Sequence, residues 1–205
     1  KAKDKADLQR ELGLEVNPNV MLVGVVSRLT WQKGFYLLME QLSALAAAPI
    51  QLAILGSGEA KIEDAFRNME NEHKGKVCFY RGYNEDLAHR IYAGSDLFLM
   101  PSLFEPCGIS QLCSMRYGTL PLVRETGGLK DTVTPYNEYD KSGNGFSFSS
   151  YNANELMHTL YYAADVYYNR KADWETLQTN AMNTDVSWAK SAATYNQLYN
   201  ELVNR

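Results

Sequence analysis

An acidic turn after a buried strand is the stretch of this sequence best suited to chemistry. Residues 97–100 are an apolar run typical of a buried strand, and two prolines and a glycine between residues 101 and 108 prevent its continuation. Helical apolar spacing follows at residues 109–117, so the turn leads into a helix N-terminus, where free backbone N–H groups can bind an anion. Glu105 and Cys107 lie in this turn. The carboxylate could contribute to a ligand site or simply cap the helix.

Two cations follow the first predicted strand, which is the apolar run at residues 21–26. Arg28 could make forked contacts with phosphate oxygens, and Lys33 could supply a point charge. Together they could stabilise a departing phosphate without a metal ion. For an arbitrary α/β protein, two solvated loop cations are the better interpretation.

Other ligand candidates follow the later strands. The Gly56-Ser-Gly58 turn has Lys61 where a dinucleotide fingerprint needs its third glycine, so NAD binding is disfavoured. Tyr83, after the third strand, could stack on a purine or could be an ordinary packed tyrosine. The turn of Thr126, Gly127 and Gly128 could admit a phosphate or ribose close to its backbone, or could be a plain turn before a short helix.

Six predicted strands must position these residues. They lie at residues 21–26, 51–55, 77–80, 97–100, 120–123 and 145–148, and they alternate with helical patterns. The sequence therefore predicts an α/β fold, a Rossmann-like doubly wound parallel sheet of about six strands with helices on both faces. Right-handed crossovers bring the loops that follow the strands to one edge of the sheet. Extra C-terminal helices are predicted at 154–168, 171–183 and 187–203.

Three local patterns give further expectations. Residues 32–48 predict one continuous helix. Pro121 places the fifth strand near an edge of the sheet, or turns its nitrogen away from the ladder. The last helix carries an apolar stripe. We expect most of it to pack on its own domain, although part of it could be left exposed as a docking surface. The stripe comprises Trp188, Ala192, Tyr195, Tyr199 and Leu202.

Composition limits the classes of function. The 205 residues suit one domain, 1–205, and a net charge of −4 does not indicate a nucleic-acid-binding surface. The three cysteines show no disulfide or CxxC pattern, which suits a reducing cytoplasm. The three histidines show no metal-ligand spacing, and we expect no metal site. No signal peptide or membrane helix is predicted, so we expect a cytoplasmic protein without a membrane partner.

Three long motifs in order resemble the starch and bacterial glycogen synthases: FEPCGISQL at 104–112, MRYGTLPLV at 115–123 and TGGLKDTV at 126–133. SRLTWQKG at 27–34 is similar to another motif of that family. The resemblance runs from about residue 8 to the C-terminus. It implies one half of a two-domain GT-B scaffold, the nucleotide-sugar-binding half, with the N-terminal acceptor-binding domain absent from these residues.

The resemblance also implies roles for individual residues. Arg28 and Lys33 would hold the diphosphate, and Tyr83 would stack on adenine. Glu105 would bond hydroxyls of the donor glucose and favour positive charge at the anomeric carbon. We therefore expect Glu105, Arg28 and Lys33 to act in catalysis. The expected nucleotide-sugar contacts are Arg28, Lys33, Tyr83, Cys107, Gly108, Ser110, Thr126, Gly127 and Gly128.

The family retains anomeric configuration, uses ADP-glucose and extends α-1,4-glucans at the non-reducing end. The resemblance implies the same for an intact protein containing this chain, with ADP-glucose as donor substrate and no separate cofactor. Cys113 stands where many retaining GT-B enzymes have a second glutamate, as the resemblance leads us to expect. We expect the chain alone to be inactive. The alternatives are a GT-B glycosyltransferase that uses a UDP or GDP sugar, and a non-catalytic nucleotide-binding module.

Overall fold

A computed structural model describes residues 1–204 and contains one sheet of six parallel strands. The sheet order is β3-β2-β1-β4-β5-β6. The strands are β1 (Met21–Leu29), β2 (Ile50–Gly58), β3 (Val77–Arg81), β4 (Leu97–Met100), β5 (Leu120–Arg124) and β6 (Phe146–Phe148). The predicted doubly wound α/β fold is confirmed, because the chain adds strands first on one side of β1 and then on the other.

Ten α-helices are found among the described residues. They are α1 (Ala2–Glu11), α2 (Phe35–Met39), α3 (Leu42–Ala47), α4 (Ala60–Glu72), α5 (Glu85–Gly94), α6 (Ser110–Arg116), α7 (Gly127–Thr132), α8 (Ala153–Asn169), α9 (Lys171–Asn183) and α10 (Trp188–Val203). Apolar cores lie on both faces of the sheet. Successive side chains of β1 point to opposite faces and so enter different cores. Val23 packs in the larger core, and Leu22 packs with α1 and α5 on the other face.

The predicted continuous helix at 32–48 is wrong. A 3₁₀ turn at Trp31–Lys33 is followed by α2 and α3 instead. Gly34 separates the turn from α2 with a left-handed backbone, φ +79°. A Cβ on Gly34 would lie 1.9 Å from the Pro101 carbonyl oxygen, so this loop can approach the β4 loop only through a glycine.

Pro121 is compatible with a strand inside the sheet. β5 lies next to the edge strand β6, which agrees with the predicted position near an edge, and pairing with β6 begins at Leu122 opposite Phe146. The Leu120 N–H donates toward β4, to Asp96 O at 3.0 Å. Because successive N–H groups alternate in direction, the Pro121 nitrogen faces the β6 side before that ladder starts, and no ladder bond is lost.

The C-terminal helix is present as predicted, but the packing expected for most of its apolar stripe is not. No described residue of α10 is buried, and Trp188 is 91% exposed. The apolar stripe therefore does not pack on its own domain. The sequence pattern correctly indicated an amphipathic helix, but not which surface covers its apolar face. No helix among residues 1–204 is long and apolar enough to cross a membrane.

A buried ion pair holds α1 against the amino edge of the sheet. Lys5 Nζ lies 2.6 Å from Asp96 Oδ2 and also donates to the carbonyl oxygen of Val20 at 2.6 Å. Asp96 Oδ2 accepts the Leu22 N–H at 2.8 Å as well. Both charged side chains are less than a tenth exposed. The pair thus joins α1 to the starts of β1 and β4.

Candidate active site

The candidate site lies where the strand order reverses. β1 and β4 are neighbours and pair at Val23 with Leu97 and at Gly24 with Phe98. After β1 the chain continues toward β2 on one side of the sheet, and after β4 it continues toward β5 on the other side. The loops that follow β1 and β4 therefore diverge. A crevice at the carboxyl ends of the strands is the usual result, and ligands of doubly wound sheets bind there.

A cavity of about 200 Å³ occupies this crevice. Five predicted site residues line it: Arg28, Lys33, Glu105, Gly108 and Ser110. The other lining residues were not predicted from the sequence; they are Val26, Ser27, Phe35, Leu99, Met100, Pro101, Ser102 and Ile109. Most of them are strand-end residues whose position follows only once β1 and β4 are known to be adjacent.

The cavity contains one cation–carboxylate pair and one further cation. Lys33 Nζ lies 2.5 Å from Glu105 Oε2. Glu105 is only 7% exposed and receives a longer hydrogen bond from the Ser102 hydroxyl, at 3.4 Å. Arg28 lies near the end of β1, which extends past the predicted boundary, and its side chain is exposed. Within residues 1–204, Arg28 forms no ion pair or side-chain hydrogen bond, so its donors are available to an anion.

Two loops that carry Lys33 and Glu105 are joined by their backbones. The Gln32 carbonyl accepts the Leu103 N–H at 2.9 Å. Glu59, after β2, accepts the Trp31 N–H at 2.7 Å and so holds the 3₁₀ turn from its other side. The ion pair therefore rests on a rigid frame and does not depend on two flexible side chains alone. Glu59 was not predicted as a site residue, because no local sequence pattern shows which loop its carboxylate reaches.

Five predicted contacts do not line the cavity: Tyr83, Cys107, Thr126, Gly127 and Gly128. Tyr83 is 79% exposed on the same sheet edge, and its hydroxyl donates to Glu85. Cys107 is also exposed. A Cβ on Gly127 would lie 2.1 Å from Glu105 O, and one on Gly128 would lie 2.1 Å from Cys107 O. The space that these glycines leave is thus occupied by the acidic turn.

We expect Gly127→Ala to disturb the acidic turn. Gly127 has φ +45°, and the new Cβ would collide with the backbone that carries Glu105. Gly13 is a matched control, since it also has positive φ (+66°) but nothing lies within 4 Å of its added Cβ. Gly13→Ala should cost about 1–2 kcal/mol of unfolding free energy, the usual left-handed penalty, and Gly127→Ala should cost more. Equal losses in urea unfolding would contradict the close packing of the two turns.

The wall behind Ser110 is polar but uncharged. The Tyr92 hydroxyl donates to Ser110 Oγ at 3.2 Å. Burial raises the pKa of Tyr92 above its usual value, and burial likewise raises the pKa of the Cys113 thiol, so both groups stay protonated near neutral pH. Gln111 is buried and donates to Cys107 O and Gly108 O, so it supports the turn from inside.

Within residues 1–204, no cluster of three His, Cys, Asp or Glu side chains could hold a metal ion. The fold and the site define an α/β protein with a basic, partly enclosed crevice at a topological switch point, as in nucleotide-binding sheets. A family model described as glycosyl transferases group 1 matches residues 4–167. The chain belongs to this glycosyltransferase family.

Known relatives agree with this assignment. The chain is 52% identical to a glycogen synthase from Lachnospira eligens over 202 residues, which cover 98% of the chain and 42% of that protein. A glycogen synthase from Streptococcus mutans has the same identity and coverage. The chain corresponds to the C-terminal part of the glycogen synthases it matches and spans less than half of their length.

Solved structures show the same half-domain. The catalytic domain of starch synthase IV from Arabidopsis thaliana, bound to ADP and acarbose, superimposes with a TM-score of 0.87 at 34% identity. That match covers 100% of this chain and 43% of the starch synthase chain. Anabaena HepE in complex with UDP-glucose has a TM-score of 0.69 at 22% identity, a likeness of fold. The predicted GT-B half-domain and the predicted family are therefore confirmed.

Proposed function

We propose that this chain is the donor-binding part of a retaining glucosyltransferase that moves glucose from ADP-glucose to the non-reducing end of an α-1,4-glucan. The observation that carries the proposal is the cavity at the switch point, where Arg28, Lys33 and Glu105 meet. About 50% identity to glycogen synthases, and an ADP-bound starch synthase of the same fold, support ADP-glucose as the donor. The glucan would bind through the half of the relatives that these residues do not include. We also propose a cytoplasmic location, which the three free cysteines support.

The proposed chemistry follows from the charges around the cavity. The bond between the anomeric carbon and the diphosphate oxygen breaks, and its electron pair remains on the diphosphate. Arg28 and Lys33 stabilise that growing negative charge. An ammonium has three donors, so Lys33 can keep its bond to Glu105 while it also donates to phosphate.

Glu105 acts on the other fragment of the breaking bond. Its buried carboxylate favours positive charge at the anomeric carbon and accepts hydrogen bonds from the sugar. The acceptor hydroxyl then forms the new glycosidic bond on the same face, and its proton passes to the departing diphosphate. Arg28, Lys33 and Glu105 thus serve as the catalytic residues. Tyr83, Cys107, Thr126, Gly127 and Gly128 remain proposed contacts to parts of the donor outside the cavity.

We expect the intact protein that contains this chain to transfer glucose from ADP-glucose in preference to UDP-glucose or GDP-glucose. The measurement is glucan extension with each donor alone and in competition. A preference for the UDP or GDP sugar would identify a different GT-B enzyme. Transfer with none of them, combined with ADP binding, would identify a nucleotide-binding module. The 205-residue chain alone should bind ADP weakly and show no transfer.

We expect Arg28→Ala to weaken ADP binding. One charged hydrogen-bonding contact is worth about 1.5–3 kcal/mol, which corresponds to a roughly 10- to 150-fold rise in Kd by titration calorimetry. Arg10→Ala is the matched control, since Arg10 is an exposed arginine of α1 that pairs with Asp7 outside the cavity. Equal ADP affinity in the wild type and Arg28→Ala would remove Arg28 from the phosphate site.

A further inference from the structure

We propose that Arg124 is a positioning residue that holds the turn carrying Glu105 in the position that glucosyl transfer requires, an inference that rests on the proposed function. Arg124 is the last residue of β5. It does not line the cavity, and nothing in the sequence motifs distinguishes it from the residues around it. Its role follows from where its guanidinium donates.

The guanidinium of Arg124 donates to three backbone carbonyls. Nε donates to Ser102 O at 2.9 Å, and one terminal nitrogen donates to Leu103 O at 2.7 Å. The other terminal nitrogen donates to Ser149 O at 3.1 Å. A planar fork of this kind fixes the direction of its partners as well as their distance, which a lysine cannot do.

The carbonyls belong to the segment that carries Glu105. Ser102 and Leu103 lie between the end of β4 and Glu105, and the Ser102 hydroxyl donates to the Glu105 carboxylate at 3.4 Å. The Leu103 N–H simultaneously donates to Gln32 O, next to Lys33. The segment is thus held from one side by Arg124 and from the other by the loop that presents the ammonium of Lys33.

Arg124 is itself rigidly placed. β5 pairs with β4 through Val123 and Met100, and Arg124 pairs with Phe148 of β6. The Tyr151 ring lies 5.7 Å from the guanidinium carbon and covers it. Within residues 1–204, Arg124 has no carboxylate partner. Its guanidinium hydrogen bonds all go to backbone carbonyls, in the loop after β4 and in the loop after β6. Arg124 therefore fixes the segment that carries Glu105 relative to the sheet.

The test compares three variants in the intact protein that contains this chain. Arg124→Ala should lower kcat for glucosyl transfer about 100-fold, since a misplacement of roughly 1 Å costs that much. KM for ADP-glucose should stay within about threefold of wild type, because Arg28 and Lys33 still hold the diphosphate. Arg124→Lys should recover only part of kcat. Arg116→Ala should behave as wild type, since that arginine donates to Met182 O outside the turn.

Added ethylguanidinium separates positioning from general loss of stability. It should restore part of kcat in Arg124→Ala, because it can occupy the space that the Arg124 guanidinium leaves between the loop after β4 and the loop after β6. It should restore none in Glu105→Ala. Wild-type kcat in Arg124→Ala would overturn the proposal. A fall in kcat that follows the fraction of unfolded enzyme and shows no rescue would also overturn it.

Hydrogen exchange tests the same inference without transfer. In Arg124→Ala, peptides that cover residues 101–106 should exchange faster than in wild type, while peptides of β1 and β2 should be unchanged. Unchanged protection at 101–106 would refute the positioning role even if the wild type proved to have no transferase activity. Absence of wild-type transfer with faster exchange would instead refute only the proposed function.

Discussion

Glu105→Gln is expected to nearly abolish glucosyl transfer. Loss of one preorganised electrostatic contact to a transition state typically lowers kcat by about 10²–10³-fold. Glutamine keeps the size of the side chain and an acceptor for Lys33, so the change removes mainly the negative charge beside the anomeric carbon. Affinity for ADP should stay the same or rise, because the variant no longer places a carboxylate near the phosphates.

Steady-state kinetics with ADP-glucose in the intact protein provide the measurement for this variant. Glu72→Gln, an exposed residue at the end of α4, is the matched control and should retain wild-type kcat. If Glu105→Gln keeps more than about a tenth of the wild-type kcat, its charge does not stabilise the transition state as proposed. A parallel loss of ADP affinity would show instead that the turn has rearranged.

Lys5→Met is expected to destabilise the chain strongly. It leaves the Asp96 carboxylate buried with the Leu22 N–H but without its cation. Removal of one partner of a buried ion pair costs about 3–5 kcal/mol, because the remaining charge cannot be solvated. Urea unfolding of the 205-residue chain measures the loss.

Two comparisons show whether burial is the cause. Arg10→Met breaks an exposed pair on the same helix and should change the unfolding free energy by less than about 1 kcal/mol. The double variant Lys5→Met with Asp96→Asn should lose less than the sum of the single losses, since it leaves no unpaired charge. Additive losses would mean that the two side chains do not depend on each other.

Strands and helices were largely predictable because their signals are local. Uninterrupted apolar runs identify strands that are covered on both faces, and all six predicted strands are present. The long helix at 32–48 was the exception. Gly34 ends the 3₁₀ turn there because its loop must approach Pro101, a contact between residues far apart in sequence.

Site residues were predictable in part. The order of motifs identified the family, and composition alone would have left Arg28 and Lys33 as ordinary loop cations. Glu59 contacts the loop that carries Lys33, and Arg124 contacts the loop that carries Glu105. Neither contact had a sequence signal, because Glu59 accepts a backbone N–H and Arg124 donates to a backbone carbonyl. A side chain that binds backbone has no complementary residue type to reveal it.

The sequence by itself determined the six strands, most of the helices, the family and the type of residue that ends each strand. Only the tertiary structure decided which strand ends meet. Lys33 and Glu105 are 72 positions apart and form an ion pair because β1 and β4 become neighbours when the chain reverses its direction of strand addition. The physical reason is that apolar periodicity depends on burial of individual residues, whereas strand order depends on how whole crossovers pack across the sheet.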